Sequence, residues 1–508
     1  MSFPYEDEDE HHAEATGERS LSKFGVQPLL SRYDDYEYND QETSFRSSVS
    51  ERAVSEARAA SIVVFGGIMA YSFVVCLENV IVFPSLWPNL LQYCGEEYDE
   101  ATLQSYLGWT MGAFSLGRGV SALIINGRAP TRRNMRVAAT ICFLLSGSGC
   151  AMYLLAWSPP MLILSRTLSG LGAGALTLMI TALSSLSSPE TRTSAISQFF
   201  IAAALGEIAG PIISYATVSV DFDMTLFGHV ITVNKYNCVG LWTLCLFMLS
   251  FIFVCRSIDA SAQPDEYILE RISLKLFKPR LIMIFTLALF VNMGVSSWET
   301  VVTPLAQQHF RWGVESNSLI FILSGAILFF SNIVLVRIAT SFKVSDECGT
   351  IVSVIVATAG ATLLLIGGNN IAYFVIGNLL FTLGIFCPLT FVTSMYTKNI
   401  VARPSLFIGA FRASSAGIRV VGNILAAYSL SFSGHASSGP NVAFCLSNQT
   451  NPISVPSSSP SLLSTFLSEH NVDTTGPELL LLCICICAFV VSSAIACTKP
   501  KPEVSQST

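Results

Sequence analysis

Apolar residues run through this chain in long blocks separated by short polar stretches. The block beginning at Ser61, SIVVFGGIMAYSFVVCL, has no charged residue, and neither has LLLLCICICAFVVSSAIAC, which ends at Cys497. A helix crossing a bilayer needs roughly 20 such residues, because each adds about 1.5 Å along the axis. Blocks of this kind predict spans over 59–82, 104–126, 136–157, 160–186, 194–217 and 238–256. The polar stretch RSIDASAQPDEYILERISLKLFKPR, Arg256 to Arg280, interrupts the series. Six more spans follow, over 281–304, 317–340, 350–368, 371–396, 405–432 and 478–497. The pattern predicts an all-α membrane protein with twelve transmembrane helices in two six-helix halves. Only helices and closed barrels satisfy their own backbone groups in lipid.

The basic residues orient these spans. Even-numbered spans return the chain to the side on which it begins. That side receives Arg52 and Arg58, then Arg128, Arg132, Arg133 and Arg136, then Arg192, and later Arg271, Lys275, Lys278, Arg280, Arg337, Lys343, Lys398, Arg403, Lys499 and Lys501. The loops of the other side receive Lys235 and Arg311. Lysine and arginine concentrate in cytosolic loops, so both termini are expected in the cytosol. The expected organisation is a tail over 1–57, a six-helix bundle over 58–256, and a cytosolic linker over 257–280. A second bundle over 281–498 carries a luminal loop at 433–477, and a short tail at 499–508 ends the chain.

Composition agrees with this reading. Of 508 residues, 51% are hydrophobic and 12% charged, against roughly 25% charged in soluble domains. The net charge of −7 comes largely from the first 42 residues, with EDEDE and RYDDYEYNDQE, so it says little about partners. That tail is expected to be disordered. It has no apolar leader near Met1, so the first span is expected to direct membrane insertion. It also contains Gln27-Pro28-Leu29-Leu30, similar to a dileucine sorting signal, with Gly25 where an acid is usual. Sorting adaptors are therefore expected partners of Leu29 and Leu30. Asn448-Gln449-Thr450 forms a glycosylation sequon in the luminal loop. Cys94 and Cys445 both fall on that side, and a disulfide between them stays open as an expectation.

Charged residues inside spans are costly and are read as functional. Six stand out as substrate or coupling candidates: Glu78, Arg166, Glu207, Glu299, Arg412 and Arg419. Arg412 and Arg419 lie seven apart and so share a helix face. Opposite charges on facing helices could pair across a central cavity, and the sequence leaves open which pairs form. Small residues that let helices approach or rock are Gly117, Gly127, Gly170, Gly206 and Gly210, with Arg118 and Arg128 in a basic turn. Pro211 removes a backbone hydrogen bond and invites a kink. Cys483, Cys485 and Cys487 are not expected to bind metal, since Cys485 points away from the other two. The chain holds no nucleotide loop, nucleophile elbow or metal-ligand set. No enzyme activity, cofactor or nucleic-acid partner is expected.

These residues carry a resemblance to the major facilitator superfamily. Gly117 to Arg133 resembles its loop motif after the second helix, with Asn126 near the usual acid. Arg166 with Gly170 resembles its fourth-helix motif, and Gly206 to Pro211 its fifth-helix GxxxGP motif. Four segments are similar to a lysosomal branch of that family: Leu107–Gly117, Ser165–Gly174 with Glu190–Ser194, Trp298–Leu305, and Ser414–Gly422. The resemblance implies the major facilitator fold, alternating access about a midplane site, and an endolysosomal membrane, with the plasma membrane as the rival. The implied function is secondary transport of a small solute, anionic in view of the arginines and coupled to protons through an acid such as Glu207 or Glu299. The solute or ion and the lipid bilayer are then the partners of a monomer. An anion channel on the same fold and a non-transporting receptor or scaffold are the other readings.

Overall fold

A computed structural model describes residues 65–93, 98–126, 132–186, 192–226, 229–260, 279–341, 345–367, 370–399, 404–434 and 476–497. Leu29, Leu30, Cys94, Gly127, Arg128, Cys445 and Asn448 lie outside the described residues.

The first span runs from Phe65 to Leu91. It is two helices, α1 over 65–80 and α2 over Phe83–Leu91. Pro84 sits in the first turn of α2, where its missing N–H costs nothing. The same residue cannot continue the hydrogen bonding of α1, so the span breaks at 81–82. The second and third spans are α3, Glu100–Asn126, and α4, Arg132–Leu154. The fourth is also broken, into α5, Pro159–Ala173, and α6, Ala175–Leu186. The next two are α7, Arg192–Ala216, and α8, Cys238–Ala260. The second half consists of α9, Pro279–Phe310, α10, Val314–Ser341, and α11, Asp346–Gly367. It ends with α12, Ile371–Asn399, α13, Pro404–Gly434, and α14, Gly476–Cys497. Among the described residues, eight spans qualify as membrane-crossing on length and composition alone. Of the other four, the fourth is divided at Gly174, and α3 and α13 carry arginines within their length.

The helices sort into the two halves expected from the sequence. In the first, α5 packs on α3 and α4, and α8 on α4. In the second, α12 packs on α11, α13 on α9, and α14 on both α9 and α11. The halves meet mainly where α3 lies against α13 and α7 against α10. Gly108 and Gly119 of α3 face Ala427 and Ala416 of α13, and Gly325 of α10 faces Ile208 of α7. Small residues bring backbones close enough for dispersion to hold helices together without a hydrophobic drive from lipid.

Within the first half, the basic-turn motif and the fourth-span motif form one crossing. A Cβ at Gly117 would stand 2.4 Å from the carbonyl oxygen of Thr167, and one at Gly170 would stand 2.1 Å from that of Phe114. Gly206 and Gly210 of α7 press in the same way on α1 and the break after it, at Phe73 and Leu77. The fifth-span glycines therefore bind α7 to its own half. Helix α7 runs through Pro211 without interruption.

The sequence reading placed nothing but helices, yet a two-stranded hairpin joins α7 to α8. Its strands, β1 Asp221–Leu226 and β2 His229–Asn234, pair antiparallel with Asp221 opposite Asn234. The turn after β2 is fixed by the Asn234 side chain, which accepts from the backbone N–H of Tyr236 and Asn237. The alternation in DFDMTL and HVITVN is the strand period. It is short and only half apolar, and it hides between two long apolar blocks.

Asp99 caps α3. Its carboxylate accepts from the backbone N–H of Thr102 at 3.0 Å, and hydrogen bonding from the Thr102 side chain first, with this backbone bond adding to it, holds its pKa below the usual 3.8. The carboxylate form is the one the fold prefers, so its contribution is full above about pH 4 and fades as pH falls through the lowered pKa. Asp99→Ala is expected to lower stability by about 1 kcal/mol at neutral pH. The loss should shrink toward pH 3 in thermal unfolding followed by circular dichroism.

Candidate functional site in a cavity between the halves

The two halves enclose a cavity of about 100 Å³. Spans of both halves line it: α1 through Cys76 and Asn79, α3 through Phe114 and Arg118, α7 through Phe200 and Glu207. From the other half come Asn292 and Glu299 of α9, Asn332 of α10, Thr390 of α12, and Arg412 and Arg419 of α13. Four of the six charged residues singled out from the sequence therefore meet here.

Arg419 donates to the Glu299 carboxylate in an ion pair whose side chains are 9% and 8% exposed. This pair joins α13 to α9 inside the second half. It does not cross the cavity, one of the arrangements that the sequence left open. Glu207 stands on the opposite wall, among the charges of Glu299 and Arg419. Arg412, seven residues before Arg419, faces the same space. Its Nε and one terminal nitrogen are buried without a hydrogen-bond partner. Such a group costs its full desolvation unless something fills the donors. Among the described residues, no carboxylate pairs with Arg412 or Arg118.

Arg118 is the residue that sequence reasoning misplaced. It was grouped with the basic turn as a packing element. Helix α3 continues to Asn126, so Arg118 lies two turns inside the span, with its guanidinium 5.9 Å from the centre of the Phe114 ring. The signal was available: the expected span, 104–126, already contained Arg118. Asn79, Asn292 and Asn332 were also missed, although an asparagine within an apolar block is itself a polar group in lipid.

Glu78 and Arg166 are brought together elsewhere. Both are buried, 2% and 3% exposed, in the core of the first half. Arg166 donates to the carbonyls of Glu78 at 3.4 Å and Asn79 at 3.3 Å, and to the Asn79 side-chain oxygen at 3.2 Å. These carbonyls belong to the last turn of α1, which the break at 81–82 leaves without partners. A cation at a helix C-terminus also meets the negative end of its dipole. Arg166 thus closes α1, and Phe114 covers its guanidinium at 4.5 Å. It does not snorkel to the interface. The Glu78 carboxylate accepts from the Cys150 thiol at 3.4 Å, beside a void of about 10 Å³. Asn79 and Phe114 separate this polar cluster from the central cavity. Arg166→Met is therefore expected to act on folding. It should lower the apparent melting temperature by several degrees in a thermal-shift assay, whereas Arg412→Gln leaves it nearly unchanged.

Beyond the cavity, at the α2 end, the halves close on aromatic rings. Phe83 lies 5.7 Å from Phe321, and Phe321 lies 5.5 Å from Trp298. Thr303 donates to the Phe83 carbonyl at 3.3 Å, and the Trp298 indole donates to Asn378 at 2.8 Å.

Two helical halves around a charged cavity in the middle of the spans define a membrane transporter rather than an enzyme. The chain belongs to the Major Facilitator Superfamily, whose family model matches residues 68–423. It is 28% identical over 170 residues to major facilitator superfamily domain-containing protein 8 of Xenopus laevis. That alignment spans 32% of this chain and 32% of the frog protein. Among solved structures, the fold is similar to a bacterial homologue of the human lysosomal transporter Spinster in its inward-facing, occupied conformation. The TM-score there is 0.59 at 12% identity, over 86% of this chain and 97% of the other. The xylose transporter XylE of E. coli gives 0.57 at 10% identity, over 87% and 98%. The human organic anion transporter MFSD10 gives 0.54 at 13% identity, over 86% and 99%. At these identities the likeness is one of fold.

Proposed function

We propose that this chain is a secondary transporter that moves a small anionic solute across an endolysosomal membrane by alternating access, coupled to protons through an acid of the cavity, Glu207 or Glu299. The observation that carries the reading is the convergence of Arg118, Arg412 and Arg419 with two carboxylates on one cavity bounded by both halves. Guanidinium groups present fixed forks of donors suited to carboxylate and oxyanion ligands. The site lies where rocking of one half against the other would expose it alternately to each side. An acid in such a site takes a proton from an acidic lumen and releases it when the cavity wets from the cytosol. Endolysosomal residence is supported by the resemblance of four segments to a lysosomal branch of the family and by Leu29-Leu30 in the tail.

Purified protein in liposomes tests this reading. Uptake should saturate, should show counterflow, and should rise with an imposed proton gradient. Glu207→Gln or Glu299→Gln should uncouple uptake from that gradient, and Arg412→Gln should cut uptake by roughly tenfold or more. A current that does not saturate and reverses at the anion's equilibrium potential would establish a channel instead. In cells, Leu29→Ala with Leu30→Ala should move the protein to the plasma membrane without changing its activity in liposomes.

A further inference from the structure

We propose that the central cavity binds a compact dianion of about five or six heavy atoms, an oxyanion or the shortest dicarboxylate, and binds it together with one proton on Glu207. This deepens the transporter reading and rests on it only for the direction of movement. Size gives the first argument. The cavity measures about 100 Å³, whereas a cavity that holds benzene measures about 150 Å³ and sites for larger ligands about 300 Å³ or more. A hexose or a lipid does not fit this volume.

Charge gives the second argument. Arg419 is neutralised by Glu299, which leaves Arg118 and Arg412 as two cations with no carboxylate of their own among the described residues. With Glu207 protonated, a monoanion leaves one of them unbalanced and a dianion balances both. The remaining charge is Glu207, on the opposite wall. From the other elements around the cavity it is faced by Cys76 of α1, Arg118 of α3, Glu299 of α9, and Arg412 and Arg419 of α13. Helices α10 and α12 offer it the uncharged Leu328, Asn332 and Thr390. An ionised Glu207 would meet the incoming dianion as a like charge in a buried cavity, where such repulsion is stronger than in water, so entry of the dianion requires its proton. Polarity gives the third argument. Arg412 has two buried donors without an acceptor, and Asn79, Asn292 and Asn332 add amide N–H groups around it, one N–H of Asn292 and one of Asn332 being already given to the carbonyls of Ala288 and Leu328. An oxygen-rich anion accepts from all of them, whereas a halide offers one small centre.

Binding to the purified full-length chain, read by isothermal titration calorimetry, tests the proposal. The probes are sulfate, hydrogen phosphate, oxalate, chloride and glucose. Sulfate and phosphate against oxalate separates an oxyanion from a dicarboxylate. At least one of the three should bind at least roughly tenfold more tightly than chloride or glucose. It should take up close to one proton, read from the dependence of the heat on buffer ionisation. Glu207→Gln should abolish the proton uptake and the pH dependence of the affinity. Arg118→Gln and Arg412→Gln should each weaken binding by roughly tenfold or more. The wild-type ranking stands whether or not those variants fold. Chloride or glucose binding as tightly as the dianions would overturn the proposal, as would dianion binding by wild type without proton uptake. Dianion binding with no flux in liposomes would instead overturn the transporter reading and leave this one standing.

Discussion

Arg419→Gln is expected to destabilise the protein by about 3–5 kcal/mol, the cost of leaving one charge of a buried pair alone. Its partner Glu299 would stay in a site where both side chains are less than a tenth exposed. Glu299→Gln should cost a similar amount. The double variant should recover a large part of the loss, because two neutral amides of similar shape can face each other where two charges did. A double-mutant cycle on thermal or denaturant unfolding measures the difference, with a coupling energy of at least about 1 kcal/mol expected. Strictly additive losses would mean that the two side chains do not depend on each other. The same cycle separates folding from function, since Arg118 and Arg412 line the same cavity without a carboxylate partner among the described residues.

Gly170→Val should abolish the folded protein. Any Cβ at that position comes within 2.1 Å of the Phe114 carbonyl oxygen, and the clash is with backbone rather than with a movable side-chain end. Overpacking typically costs about 1–3 kcal/mol where side chains can shift. Here α3 and α5 must part, and with them the Phe114 ring that covers Arg166. Loss of the monodisperse peak in size-exclusion chromatography is the expected readout. Gly417→Ala is the control. Nothing lies within 4 Å of its added Cβ, and alanine in a helix interior is favoured by about 0.5–1 kcal/mol. A folded Gly170→Val protein with unchanged stability would contradict the close crossing of α3 and α5.

The glycine motifs also illustrate how unevenly the fold was legible. That Gly117, Gly170, Gly206 and Gly210 mark close approaches could be read from their type and spacing. Which helix each approaches could not. Gly117 turns to α5 in its own half, while Gly119, two residues on, turns to α13 in the other. Glycine lacks the Cβ that would betray a direction by its hydrophobicity. The same holds for the charges. Glu78 and Arg166 look as functional in the sequence as Glu299 and Arg419, because depth in a span is all that the sequence reports. One pair closes a helix end in the core of the first half and the other lines the cavity. The break in the first span that creates the demand for Arg166 follows from Pro84, two residues beyond the expected end of that span.

By itself the sequence determined that this chain crosses a membrane as two sets of helices, because lipid admits few solutions for a backbone and the apolar blocks have the length one of them needs. It also determined which side chains are too polar to lie in lipid without a reason. The tertiary structure alone decided what that reason is for each: Arg166 satisfies carbonyls freed by a helix break, Arg419 is matched by Glu299, and Arg118 and Arg412 face open space. Hydropathy is a property of one helix, whereas a cavity is a property of the eight or so elements that surround it.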